Sequence, residues 1–130
     1  MLIVDAQVHI WGNNLPANPN HRQITSFSKD DLLKEMDESG IDAAVIHPPS
    51  WDPGADDLAL EAARLHPNRL SILGKIPLDQ PESRSLVTGW TAQPGMLGFR
   101  FSFTQPHQQG WPTDGTMDWI WPEVERLDIP

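Results

Sequence analysis

Cysteine is absent from the 130 residues. A disulfide framework, a thiolate zinc site and a cysteine nucleophile are therefore excluded, and the absence suits a reducing compartment such as the cytoplasm. Basic residues are scarce: nine Lys and Arg stand against eighteen Asp and Glu, a formal charge of −9 at pH 7. Nucleic acid and anionic membranes would repel such a chain, so neither is an expected partner. No apolar run approaches the roughly 20 residues of a transmembrane helix. Met1-Leu2-Ile3-Val4-Asp5 lacks the basic start and long apolar core of a secretory signal. Short-period repeats and low-complexity tracts are missing too. The length suits one ordinary domain with a real core.

What is present is an alternation of apolar runs and helix-like stretches. Leu2 to Ile10 reads as a strand, followed by a polar loop over Gly12 to Phe27. Ser28 offers an N-cap, with Asp31 three positions on as a capping-box partner. Leu32, Leu33 and Met36 then share a helical face, and Gly40 is a natural stop. Ile41 to His47 is a short strand closed by Pro48-Pro49. Asp56 to His66 is a helix that Pro67 ends. Asp56-Asp57 there reads as an acidic first turn suited to the helix dipole, and His66 as a cap. Leu70 to Ile76 is a third strand, Glu82 to Trp90 a weaker helix, Met96 to Phe103 a fourth strand and Asp118 to Leu127 a last helix.

Strand and helix in alternation at this spacing predict parallel strands joined by crossover helices. An open doubly wound sheet and a closed barrel both satisfy that. A dinucleotide fold would place a Gly-rich turn after the first strand, and Trp11-Gly12-Asn13-Asn14 is not one. The barrel is favoured.

The first strand carries the strongest chemical signal. Plain alternation puts Leu2, Val4, Ala6, Val8 and Ile10 on one face, and Asp5, Gln7 and His9 with Ile3 on the other. Polar side chains on a buried strand are costly unless paired or functional. They form either a satisfied hydrogen-bond cluster or part of a site at the strand's carboxyl end. His47, at the end of the second strand, either points into the same mouth or bonds a nearby carbonyl. Arg100 alternates with Leu97, Phe99, Phe101 and Phe103 and should face the interior. There it would anchor an anion or pair with Asp5 or another acid. Trp11 and Trp51 follow the first two strands and could wall the pocket, whereas Trp111, Trp119 and Trp121 read as core. His21 and His107 fall in loops. Ser28 is a cap, with no Gly-x-Ser-x-Gly elbow around it.

Ile3-Val4-Asp5-Ala6-Gln7-Val8-His9-Ile10-Trp11 resembles the opening strand of the amidohydrolase-related enzymes, usually Asp-x-His-x-His followed by an apolar residue and often Trp. Gly40-Ile41-Asp42-Ala43-Ala44-Val45-Ile46 is similar to that family's second strand with its lead-in, and Gly98-Phe99-Arg100-Phe101 to its Gly-x-Arg strand. The resemblance implies a (β/α)₈ barrel of which these residues supply four βα units, the N-terminal half, ending before a fifth strand. It implies hydrolysis of a small carboxylated lactone, ester or amide-type substrate, with water activated by a metal or by an acidic residue. His9 and Gln7 would be catalytic, with His9 a polariser or residual metal ligand. His47, Arg100, Trp11 and Trp51 would bind substrate.

Gln7 stands where metal-binding members carry the first histidine of the pair. An amide oxygen is a weak donor to zinc-type metals, so the resemblance points to the lactonase-like branch and to a divalent metal held weakly or not at all. The family's later histidine and aspartate have no counterpart here, and an isolated half-barrel is expected to be inactive. Its open edges predict self-association. A decarboxylase of the same superfamily and a non-catalytic α/β binding module for an anionic small molecule are the alternatives.

Overall fold

The computed structural model describes residues 1–130. In chain order it contains β1 (Val4–Val8), α1 (Lys29–Ser39), β2 (Ala43–Ile46), α2 (Ala55–Leu65), β3 (Leu70–Gly74), α3 (Ser83–Val87), β4 (Met96–Phe99) and α4 (Ile120–Arg126). Short 3-10 turns occupy Trp90–Ala92 and Pro106–Gln108. All strand pairs are parallel, and the spatial order β1-β2-β3-β4 follows the sequence. Every crossover thus advances the sheet in one direction. A doubly wound sheet reverses direction at a switch point, whereas a barrel does not.

Local chemistry explains the element ends. Ser28 and Asp31 form a reciprocal capping box at α1: the Ser28 Oγ accepts the Asp31 N–H at 3.2 Å, and the Asp31 carboxylate accepts the Ser28 N–H at 2.9 Å. Gly40, at φ 70°, turns the chain out of α1, and Ile41 N–H returns to the Met36 carbonyl at 2.9 Å. The end of α4 repeats this device. Asp128 takes the left-handed position at φ 52°, and Ile129 N–H reaches the Val124 carbonyl at 2.9 Å. Phe99 N–H then donates to the Pro130 carbonyl at 3.0 Å, so Ile129 and Pro130 lie where a fifth strand would flank β4.

One face of the sheet is packed against the helices. Ala44 and Ile46 of β2 and Leu70 and Ile72 of β3 are buried in strict alternation. They meet an alanine face on α2, where Ala55, Ala59, Ala62 and Ala63 are fully buried. Small side chains let this helix sit close to the sheet. Gly95 belongs to the same close contact, since a Cβ there would lie 2.5 Å from the Ala63 Cβ. The opposite, concave face is only partly covered: Val45, Ser71 and Leu73 are half-buried and Leu97 is exposed. Along the open edge of β1, Ile3 and Val4 are 45% and 47% exposed.

Several elements are shorter than their patterns suggest. The first strand covers Val4–Val8 rather than Leu2–Ile10. β4 stops at Phe99 because β3 ends at Gly74, and Arg100 N–H makes the last rung to the Gly74 carbonyl at 2.8 Å. Phe101 and Phe103 therefore continue past the ladder. The helix expected over Glu82–Trp90 closes at Val87, because Thr88 is extended and Gly89 adopts φ 77°. Trp121 is exposed on α4, not core, while Trp119 donates its indole N–H to the Leu78 carbonyl at 2.9 Å. No helix is long and apolar enough to cross a membrane.

Candidate functional site at the carboxyl ends of the strands

The β1 strand does not alternate evenly. Asp5 pairs with Ala44 and Val8 with Ile46, so β1 carries one extra residue between those rungs. This is a β-bulge. Asp5 and Val8 consequently stand on the same side of the sheet, which an even strand would forbid. The single polar face of Asp5, Gln7 and His9 is thereby corrected: Asp5 faces with the helix-side residues. Its carboxylate accepts the Gln7 N–H at 3.0 Å, satisfying a donor at the irregularity. Gln7 itself is exposed. The alternative in which Arg100 pairs with Asp5 is not what is found, since Arg100 takes part in no ion pair.

The bulge also sets the two histidines. The His47 Nε2 lies 3.0 Å from the Ala6 carbonyl, and the His9 Nδ1 lies 2.6 Å from the His47 carbonyl. A carbonyl can only accept, so each of those ring nitrogens carries the proton. In the neutral rings the lone pairs are then His9 Nε2 and His47 Nδ1. Burial holds both histidines below the usual imidazole range, and the positive charge of Arg100 acts in the same direction on each. His47 is only 5% exposed, and its Nδ1 has no hydrogen-bond partner.

Two cations face this pair. Arg100 is half-buried at the end of β4, and Lys75, just past β3, donates to the Pro48 carbonyl at 2.9 Å. Neither has an acidic partner. Lys75 carries no motif signal, and only the parallel order of the strands brings it here.

Aromatic rings close the mouth on the other side. The His9 ring meets Trp51 edge-on at 5.5 Å and stacks with His21 at 5.8 Å. His21 in turn packs edge-on against Trp51 at 5.6 Å. A position in the loop over Gly12–Phe27 gave His21 no signal in the sequence. The loop doubles back through an antiparallel bridge between Trp11 and Phe27 and returns the imidazole to the site. Trp11 is 6% exposed, donates to the Ile24 carbonyl at 3.0 Å and packs on Phe27, so it anchors that loop from the core. The Trp51 Nε1 is buried without a partner.

Asp52 holds the two loops together. Its carboxylate accepts the Gly12 N–H at 2.6 Å and the Gly54 N–H at 3.0 Å, and these backbone donors, Gly12 foremost, hold its carboxyl below the usual range. A groove of about 330 Å³ runs beside β1, lined by Val8, His9, Trp11, His21, Phe27 and Leu32 among others. His47 and Arg100 lie outside it. His9 thus stands between an apolar groove at the open sheet edge and a cationic patch over the concave face.

No three His, Asp or Glu side chains gather closely enough to hold a metal ion. The free nitrogens of His9 and His47 amount to two imidazole donors, short of the three protein ligands a catalytic zinc requires. The residues present do not fit a metal site by themselves.

No protein-family model matches the chain, and no curated protein matches it. Solved structures do. An amidohydrolase from Burkholderia multivorans with bound zinc superimposes with a TM-score of 0.77 at 16% identity, over 99% of this chain and 47% of that one. A second structure of a Burkholderia multivorans amidohydrolase, with bound HEPES, gives 0.77 at 17% identity over the same shares. A probable 2-pyrone-4,6-dicarboxylic acid hydrolase from Acinetobacter baumannii, with citric acid bound, gives 0.70 at 16% identity over 99% of this chain and 48% of its own. The chain spans just under half the length of these structures. Four parallel βα units in sequence order, matched over half of such barrels, give this protein the fold of the N-terminal half of an amidohydrolase-type (β/α)₈ barrel.

Proposed function

We propose that residues 1–130 form the substrate-anchoring half of a hydrolase that acts on a small carboxylated lactone, ester or amide-type substrate. The observation that carries this reading is the pairing of two cations without an acidic partner, Arg100 and Lys75, with two neutral histidines at the carboxyl ends of parallel strands. Barrel enzymes build their sites at that end. In a chain of net charge −9, a local excess of positive charge selects for an anion. A neighbour of the same fold holds citric acid, a small polycarboxylate, which agrees with that selection.

Arg100 holds a substrate carboxylate through its forked donors, and Lys75 adds a point charge. His9 and His47 use their N–H groups on backbone carbonyls, so while neutral they present acceptors to the substrate. His9 acts through Nε2 as an acceptor for water or as one ligand of a metal completed elsewhere. It does not polarise a carbonyl in that state. Gln7 offers an amide at the rim. Trp51 and His21 exclude water from the mouth, with Trp11 holding their loop in place.

On this reading the remaining catalytic groups come from outside these 130 residues, which alone turn nothing over. A metal bound to the completed barrel would supply Lewis acidity and an activated water. The test is a hydrolysis assay on a panel of carboxylated lactones and esters, comparing this chain with a complete barrel that carries it. Turnover only by the complete barrel, lost on Arg100→Leu, is expected. Turnover at an ordinary enzymatic rate by the 130-residue chain would overturn the reading. A non-catalytic anion-binding module is the second reading, favoured because both histidines bond backbone carbonyls and neither is hydrogen-bonded to a carboxylate. Anion binding with no turnover by the complete barrel would select it.

A further inference from the structure

The site contains two buried polar atoms that nothing in the protein satisfies: His47 Nδ1, a lone pair, and Trp51 Nε1, an N–H donor. They are not equivalent to surface groups that water reaches. His47 is 95% buried, and the side chain cannot rotate to relieve the deficit, because its Nε2 is committed to the Ala6 carbonyl at 3.0 Å. Turning the ring over would only transfer the shortage to the other nitrogen. Leaving a buried acceptor unpaired costs on the order of 1–3 kcal/mol, so the position is one that a ligand can repay. The two orphans flank one residue, His9, whose Nδ1 lies 2.6 Å from the His47 carbonyl and whose ring meets the Trp51 indole at 5.5 Å.

A carboxylate cannot fill His47 Nδ1, since both groups only accept. Arg100 and Lys75 answer a carboxylate; His47 asks for a donor. A ligand that satisfies both must carry a negative group and a hydrogen-bond donor, and a hydroxyl is the donor that a ring-opened lactone supplies.

We infer that His47 is a specificity-determining residue that selects hydroxycarboxylates, its Nδ1 accepting the ligand's hydroxyl hydrogen while Arg100 holds the carboxylate. Trp51 Nε1 donates to the same ligand. The inference rests on the anion-site reading above and extends it, because the ring-opened product of a lactone carries a hydroxyl and a carboxylate together. A plain dicarboxylate of the same length leaves His47 unpaired and binds more weakly.

The experiment compares L-malate with succinate, which differ by one hydroxyl, by titration calorimetry against this chain. Malate is expected to bind about 10-fold more tightly, the ratio that one hydrogen bond to a buried orphan supplies. His47→Phe brings the ratio to about one while succinate binding persists. His47→Phe also removes the tie to Ala6, so two further measurements stand beside it. Trp51→Phe leaves β1 untouched and lowers malate affinity severalfold more than it lowers succinate affinity. In the unsubstituted protein, ¹⁵N spectroscopy shows His47 Nδ1 unprotonated and shifting with malate but not with succinate. Equal affinity for the two acids, or a proton on His47 Nδ1 in the free protein, overturns the inference and leaves the anion site standing. Binding of neither acid overturns both.

Discussion

The carboxylate of Asp52 accepts the Gly12 N–H at 2.6 Å and so joins the loop after β1 to the loop after β2. The same side chain takes the Gly54 N–H just before α2. Through this contact the position of the long first loop, and with it His21, depends on a residue forty positions away. Asp52→Ala should destabilise the fold by about 2 kcal/mol, the usual worth of charge-assisted hydrogen bonds from a buried side chain. Urea denaturation measures the loss. Faster amide exchange at Gly12 with unchanged exchange in β3 would locate it.

Asp52 also predicts a pH dependence. Its carboxyl lies below the usual range in the folded chain, because the backbone donors favour the ionised form. The unfolded chain binds that proton more readily, so stability is full above the ordinary aspartate range and falls as pH drops through the depressed value. His9 and His47 act in the same direction at higher pH. Burial depresses both, so acidification through about 6.5, the unfolded imidazole value, begins to favour unfolding. Denaturation midpoints between pH 8 and pH 2 should decline in two stages, the histidine stage beginning near 6.5 and the Asp52 stage below about 4. A midpoint that rises on acidification through pH 6 would contradict the neutral histidines.

Arg100→Leu should weaken binding of small dicarboxylates by 10-fold or more, on the order of 1.4 kcal/mol, without lowering stability. Stability is spared because Arg100 has no ion pair to lose and its backbone rung to Gly74 is independent of the side chain. Lys75→Met should cost less, since its ammonium is exposed and already engaged with the Pro48 carbonyl. Calorimetry with succinate distinguishes the two effects.

Asp128→Gly should stabilise the chain by about 0.5–1 kcal/mol, because the left-handed conformation strains an L-residue and costs glycine nothing. Gly95→Ala should do the reverse by 2 kcal/mol or more, on the order expected when overpacking is added to a positive φ. Its Cβ would collide with Ala63 at 2.5 Å, and Gly95 sits at φ 72°. The opposite signs at two left-handed positions can be read from thermal melts alone.

The order of the elements is legible in the sequence because each boundary carries its own chemistry. Ser28 with Asp31, Gly40, Pro48-Pro49 and Pro67 punctuate the chain, and parallel pairing follows from the alternation. Individual faces are less legible. Even alternation misplaces Asp5, since a bulge leaves no mark in composition. Likewise, Lys75 and His21 have no neighbours in sequence that announce a site. One arrives by strand register and the other by a loop that folds back through Trp11 and Phe27. His47 and Arg100 were visible because a strand pattern exposes the residue that ends it. Asp52 was not, because its partners are backbone amides, which every residue has.

The extra residue in β1 works as a phase shift in the strand. It turns the Ala6 carbonyl into the partner of the His47 ring, and that bond decides which imidazole nitrogen remains free. The chemistry of the histidines is therefore inherited from a count of backbone atoms, not from any side chain. Removing one residue between Asp5 and Val8 would leave every histidine in the protein yet disturb the bond that fixes which His47 nitrogen carries the proton. A transplant of this site to another scaffold would have to carry the irregularity along with the ligating residues.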